Sequence, residues 1–204
     1  EMMTVVAGAF KRNIFHGGEI KFEGRPVRYR VPRQAVMDGI VYVTEDRKAD
    51  GFFDTMSIAE NIYLGDLAMG RNPFTVMSMS RMRKLAEEWT TSLNIRAIDT
   101  GAQVNELSGG NQQKVVIAKS LVQKPRLVIL DEPTRGVDVG SIAEIHGFIN
   151  QLADSGITVA MISSYLPEIL SVSDRILVAR QGQIVEEMRA ADATEAKIMY
   201  AAVH

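Results

Sequence analysis

The sequence predicts an α/β protein built on a mostly parallel sheet flanked by helices, with a helical segment inserted into it. One observation behind this is the run Leu127-Val128-Ile129-Leu130, apolar on both faces as a central parallel strand must be. A helix pattern follows from about Val139 to Ala153, with Ile142, Ile145, Ile149 and Leu152 on one face, and then a second apolar run, Ile157 to Ile162. Strand, helix and strand in that order imply a right-handed parallel crossover. The second observation is that between Gly51 and Asn94 the strand pattern gives way to helical periodicity. The third is that two apolar strands end abruptly in charge, Ile40–Val43 in Thr44-Glu45-Asp46-Arg47-Lys48 and Leu127–Leu130 in Asp131-Glu132. Ligands of parallel sheets sit at such carboxyl ends.

In chain order, residues 2–10 predict a short apolar helix ending near Lys11-Arg12-Asn13, covered on most sides. Ile20 and Phe22, a Glu23-Gly24 turn, then Val27 and Tyr29 predict a peripheral hairpin. Pro32 opens and Gly39 closes a short helix, the order that helix termini favour. Ile40–Val43 is a buried strand, Ser57 to Leu64 a helix, and Gly70-Arg71-Asn72-Pro73 a break. From Ser80 to Leu93 the residues Met82, Leu85, Ala86, Trp89 and Leu93 form an amphipathic stripe, with Trp89 read as core and Met77, Met79 and Met82 as adaptable packing. Lys124-Pro125 ends the next helix; Arg175–Ala179 and Gln183–Glu187 are further strands, and Thr194 to Ala202 is a closing helix.

Bulk properties exclude several classes. With 204 residues, 46% hydrophobic and 24% charged, one substantial core is expected. A net charge of -2 gives no electrostatic reason for a nucleic-acid partner. No apolar run approaches a bilayer span, and the absence of cysteine rules out disulfides and thiolate metal sites. The start at Glu1-Met2-Met3, without a leader pattern, reads as the interior of a larger protein.

The chemistry centres on Leu107-Ser108-Gly109-Gly110-Asn111-Gln112-Gln113-Lys114, which runs into a helix with Val115, Ala118, Leu121 and Val122 on one face. Ser108 is a favoured cap, the glycines allow close approach of a ligand, and the unpaired N–H groups of a first turn attract an anion such as phosphate. Ser-Gly-Gly alone also fits a flexible loop with a serviceable cap. Asp131, 23 residues beyond Ser108, is placed to hold magnesium directly or through water, and Glu132 to act as general base or to orient water. Taken alone, those acids equally fit a polar strand end turned by Pro133-Thr134.

The octapeptide Leu107–Lys114 resembles the signature motif of ATP-binding cassette (ABC) proteins, in the form found in monosaccharide-import ATPases. The run Asp131-Glu132-Pro133-Thr134-Arg135-Gly136-Val137-Asp138-Val139-Gly140 is similar to the Walker B and D-loop stretch of that branch, and Tyr42–Lys48 to its Q-loop, with Glu45 where most relatives have glutamine. The resemblance covers essentially the whole chain. It implies a P-loop NTPase-like fold in which residues 1–50 and 125–204 form the α/β core and residues 51–124 the helical subdomain carrying the signature. It implies ATP and Mg2+ as cofactors, with Ser108, Gly109, Gly110, Gln112, Glu45 and Asp138 facing nucleotide, Asp131 and Glu132 catalytic, and Asp131 and Glu45 toward magnesium. Asp138 fits equally as the cap of the next helix. The implied partners are a second cassette, sugar permease subunits received around Phe52, Phe53 and Ile58, and indirectly a periplasmic-type sugar-binding protein, at the cytoplasmic face of the inner membrane.

Three departures from the family pattern stand out. No Gly-x-x-x-x-Gly-Lys-[Ser/Thr] occurs, so the phosphate loop is expected just before Glu1, together with strands whose slot in the sheet is left unfilled. Ser164 occupies the position of the family's switch histidine, and His16, His146 and His204 are scattered. The expectation is the second half of a double-cassette sugar-import ATPase, inactive alone, closing its signature over ATP held by a partner. The competing reading is an ABC machine acting on DNA or ribosomes, whose usual coiled-coil arms or basic linkers are not seen; a regulatory cassette is a third.

Overall fold

The computed structural model describes residues 2–10, 18–70 and 77–204. They form two compact units, Glu1–Ala160 and Met161–His204. His16 and the breaks expected at 11–13 and 71–73 lie outside the described residues.

The first unit begins with α1 (Met2–Val6), which is half-buried rather than enclosed. Strands β1 (Ile20–Phe22) and β2 (Arg25–Val27) pair antiparallel. Their two-residue turn has φ 50° at Glu23 and 75° at Gly24, the left-handed pair that matches strand twist. Helix α2 (Pro32–Met37) starts on its proline and ends at Gly39, φ 88°. Strand β3 (Ile40–Val43) leads into one tight helical turn, Arg47–Gly51, where the Asp46 carboxylate accepts from Lys48 N and Ala49 N.

Helix α3 (Ile58–Ala68) opens on a reciprocal cap: Glu60 N donates to Ser57 Oγ while Ser57 N donates to Glu60 Oε2. It runs one turn beyond the expected Leu64. Ser78 caps α4 (Met79–Ser92), whose Met82 and Ala86 pack against Ala59 and Tyr63. Trp89 is only half-buried, and Met77 and Met79 are exposed, so of the three methionines Met82 alone enters the core.

Helix α5 (Gly109–Leu121) is not the one-faced helix that its sequence suggests. Every residue from Gln112 to Ala118 is buried, including Gln113 and Lys114, because the helix is enclosed by its neighbours. Strand β4 (Leu127–Asp131) pairs parallel with β3, Ile40 opposite Leu127 and Val43 opposite Leu130. Helix α6 (Val139–Asp154) leads to β5 (Thr158–Ile162), and the sheet order is β3-β4-β5. Val128, Ile129 and Leu130 are at most 1% exposed, as a central strand requires, whereas no residue of β5 is fully buried.

The second unit contains α7 (Leu166–Val172), β6 (Arg175–Arg180), β7 (Gln183–Arg189) and α8 (Glu195–Val203). Strands β6 and β7 form an antiparallel hairpin, and Ile176, Val178 and Ile198 form its core with Leu166, Ile169 and Met188. Parallel pairing is thus shown between β3 and β4, and the two hairpins are antiparallel.

Candidate functional site

Because β3 and β4 are parallel and in register, their carboxyl ends open on the same edge. That edge collects Glu45, Asp46 and Arg47 from one strand and Asp131 to Asp138 from the other. Asp131 is half-buried, and Tyr42 Oη donates to its Oδ2 at 2.5 Å. Burial, then the bond to Asp131, raises the Tyr42 hydroxyl pKa well above its ordinary range, so it stays protonated as a donor. Tyr42 is the neighbour that the sequence reading missed. Strand periodicity with known register would have found it: Tyr42 lies opposite Ile129, and Asp131, two residues on, shares that face.

Glu132 follows with φ 46°, a left-handed conformation that a non-glycine residue adopts at a cost of about 1–2 kcal/mol. The strand ends just before it, at Asp131. Pro133 behind them is buried. The remainder of the turn closes through Arg135 N to Glu132 O at 3.1 Å and Val137 N to Thr134 O at 3.1 Å.

Helix α5 presents its N-terminus to the same region. The Ser108 hydroxyl is exposed and accepts from Asn111 Nδ2 at 3.0 Å and more weakly from Asn111 N. Gly109 is half-buried beneath Gly136 O, while Gly110 is sealed by Ser141 and Asp138, where any Cβ would collide. Gln112 turns inward and donates to Leu107 O at 3.0 Å. The approachable part of the motif is therefore Ser108 with one side of Gly109.

Asp138 caps α6, accepting from Ser141 N at 2.9 Å and Ser141 Oγ at 2.8 Å. Those bonds hold its carboxyl below the usual range. It remains exposed, so the cap leaves a charged face free for another surface. Glu45 forms an ion pair with Arg135, a partner that the sequence reading did not assign. Ser164 lies two residues beyond the end of β5; His146 is half-buried on α6, and His204 stacks on Tyr200 with ring centroids 4.6 Å apart.

Chemically, this edge offers an approachable helix N-terminus for an anion and one carboxylate, Asp131, fixed through a single oxygen. Among the described residues no group of three or more His, Cys, Asp or Glu forms a closed metal cage. The donor set fits magnesium, which uses one or two carboxylates together with phosphate and water.

The family profile for ABC transporters matches residues 3–135. The chain is 48% identical over 182 residues to the ribose import ATP-binding protein RbsA 2 of Agrobacterium fabrum, covering 89% of this chain and 36% of that protein. It is 44% identical over 202 residues to the xylose import ATP-binding protein XylG of Thermoanaerobacter pseudethanolicus, covering 99% of this chain and 39% of that protein. The chain thus spans about two fifths of the length of the curated relatives it matches. In fold it is similar to MJ1267, an ATP-binding cassette of an ABC transporter, with a TM-score of 0.80, 23% identity, and coverage of 100% of this chain and 82% of that one. The dimeric MJ0796 cassette, bound to ADP and Pi, superposes with a TM-score of 0.77 at 21% identity, over 93% of this chain and 79% of that one. With a family match across most of the chain and the cassette fold over its length, this protein belongs to the ABC transporter family.

Proposed function

We propose that this chain is the second cassette of a sugar-import ATPase, and that it presents Ser108 and Gly109 to ATP·Mg2+ bound by a partner cassette. The observation that carries this reading is the helix terminus itself: Ser108 is exposed and Gly109 half-buried at the start of a 13-residue helix in which Gly110, Gln112, Gln113 and Lys114 are buried. A terminus so placed supplies N–H groups and dipole to an anion that its own chain does not hold. The names of the ribose and xylose import relatives support a simple sugar as cargo; membrane permease subunits and, indirectly, a periplasmic-type sugar-binding protein are the further partners of this proposal. The proposed location is peripheral, at the cytoplasmic face of the inner membrane; no described helix is long and apolar enough to cross a membrane.

On the chain's own side, Asp131 would hold magnesium, with Glu45 within the same cluster once released from Arg135. Magnesium, when bound, supplies charge neutralisation to a phosphoryl group. Glu132 orients or deprotonates the attacking water, and Asp138 contacts the partner. A phosphate loop and its strand preceding Glu1 complete the sheet. The middle residues of β4 are fully buried, whereas no residue of β5 is, which supports such a neighbour.

The test is made in the intact importer. Ser108→Arg fills the approachable terminus and is expected to abolish ATP-driven sugar uptake, while this chain alone shows no magnesium-dependent ATP turnover. Robust turnover by the chain alone, or normal uptake by S108R, rejects the proposal. Nucleic-acid affinity that falls steeply with salt points instead to a machine acting on DNA or ribosomes.

A further inference from the structure

We infer that Arg47 is a positioning residue that fixes the Arg135–Gly136 turn against the first residue of α5; its functional part rests on the reading of Ser108 and Gly109 given above. The guanidinium donates from Nη1 to Arg135 O at 2.6 Å and from Nη2 to Gly136 O at 3.1 Å. Its Nε is buried without a partner, so those two carbonyls are the hydrogen-bond anchors of the side chain.

Two glycines, Gly51 and Gly109, make room for this side chain, and a third, Gly136, lies in ordinary contact with it. A Cβ on Gly51 would stand 3.0 Å from the Arg47 Cβ, and one on Gly136 3.4 Å from Nη2. A Cβ on Gly109 would stand 2.9 Å from Nη2 and 2.7 Å from Gly136 O. Gly136, at φ 66°, is therefore tied to the signature glycine Gly109 through Arg47. The backbone on either side of Arg47 is already held, by the Asp46 cap and by Phe52 N donating to Arg47 O at 3.2 Å. A fixed stem and a planar fork make a rigid spacer, which a lysine with one ammonium on a flexible stem does not reproduce.

The turn so held begins at Glu132 and ends at Asp138. Arg47 thereby seats the signature glycine, Gly109, against this turn and holds it in the position from which it faces the partner's nucleotide. Displacing catalytic groups by about an ångström lowers rates by up to about a hundredfold.

Hydrogen exchange on this chain tests the contact directly. Arg47→Ala is expected to speed exchange of the Val137 and Ser141 amides about tenfold, with those of β4 unchanged; exchange matching the parent overturns the inference. If R47A does not fold, Arg47→Gln, which keeps the stem, gives the same reading. In the intact importer, R47A is expected to lower kcat by at least about tenfold with the KM for ATP within about twofold, and Arg47→Lys to recover part of it. Faster exchange with unchanged kcat reduces Arg47 to a brace and also overturns the inference. S108R serves as the separate control: unchanged kcat there rejects the reading of α5 itself, whatever Arg47 does.

Discussion

The hydroxyl of Tyr42 and the carboxylate of Asp131 show how much a single residue pair decides at the sheet edge. A half-buried carboxylate with one fixed oxygen has a defined rotamer, and the other oxygen is left for a cation or its water. Tyr42→Phe removes the donor and keeps the ring. Hydrogen bonds to charged groups contribute about 1.5–3 kcal/mol, and partial exposure argues for the lower end. Urea unfolding of Y42F should therefore show a loss of about 1–2 kcal/mol. An unchanged midpoint would mean that water replaces the hydroxyl without cost. Asp131 was legible from its place after an apolar strand, whereas Tyr42 was not, because its role depends on the register of a strand far away in sequence.

Helix starts are written locally, and most were readable here: Ser57, Ser108, Asp138 and Thr194 each accept from a backbone N–H in the first turn, as does Ser78, two residues before the expected start at Ser80. How closely two helices approach is not local. Gly65 on α3 lies against α5, and a Cβ there would overlap Lys119 O and come within 2.7 Å of the Val122 side chain. Gly65→Ala improves intrinsic helix propensity yet should destabilise the protein by about 2 kcal/mol or more, since backbone cannot move aside cheaply; an increase in melting temperature would contradict the packing. The same enclosure explains Lys114. It is 4% exposed and pairs with Glu144 on α6 while donating to Asn94 O at 2.9 Å. Glu144 is one-third exposed, so the cost of its removal is set mainly by the unpaired lysine left behind. Glu144→Gln is expected to cost about 2 kcal/mol in chemical denaturation.

Over the whole molecule, acid stability follows from the carboxylates. Glu60 is held below its ordinary 4.5 by hydrogen bonds from Ser57, Asp138 below 3.8 by those from Ser141, and Glu144 below 4.5 by Lys114. Each has a lower pKa folded than unfolded, so its contribution is full above the unfolded value and disappears as pH falls through the folded one. Melting temperature should stay level from about pH 7 to 5 and decline below about pH 4. A decline already complete near pH 5 would point to other groups.

What the sequence alone determined was local: strand against helix by periodicity, the capped helix starts, the hairpin at Glu23-Gly24, and the two acids after an apolar run. Those depend on neighbours within a few residues, where side-chain period, turn chemistry and capping act. The family resemblance also rested on contiguous motifs. The tertiary structure decided which motif residues stay approachable: it left Ser108 open, turned Gln112 inward, paired Glu45 with Arg135 and laid Arg47 across the Gly136 turn. Those outcomes hinge on strand register and on backbone approach at Gly51, Gly109 and Gly136, which join segments up to 89 residues apart. Close packing makes such contacts all-or-none, and no short window of sequence contains both sides of one.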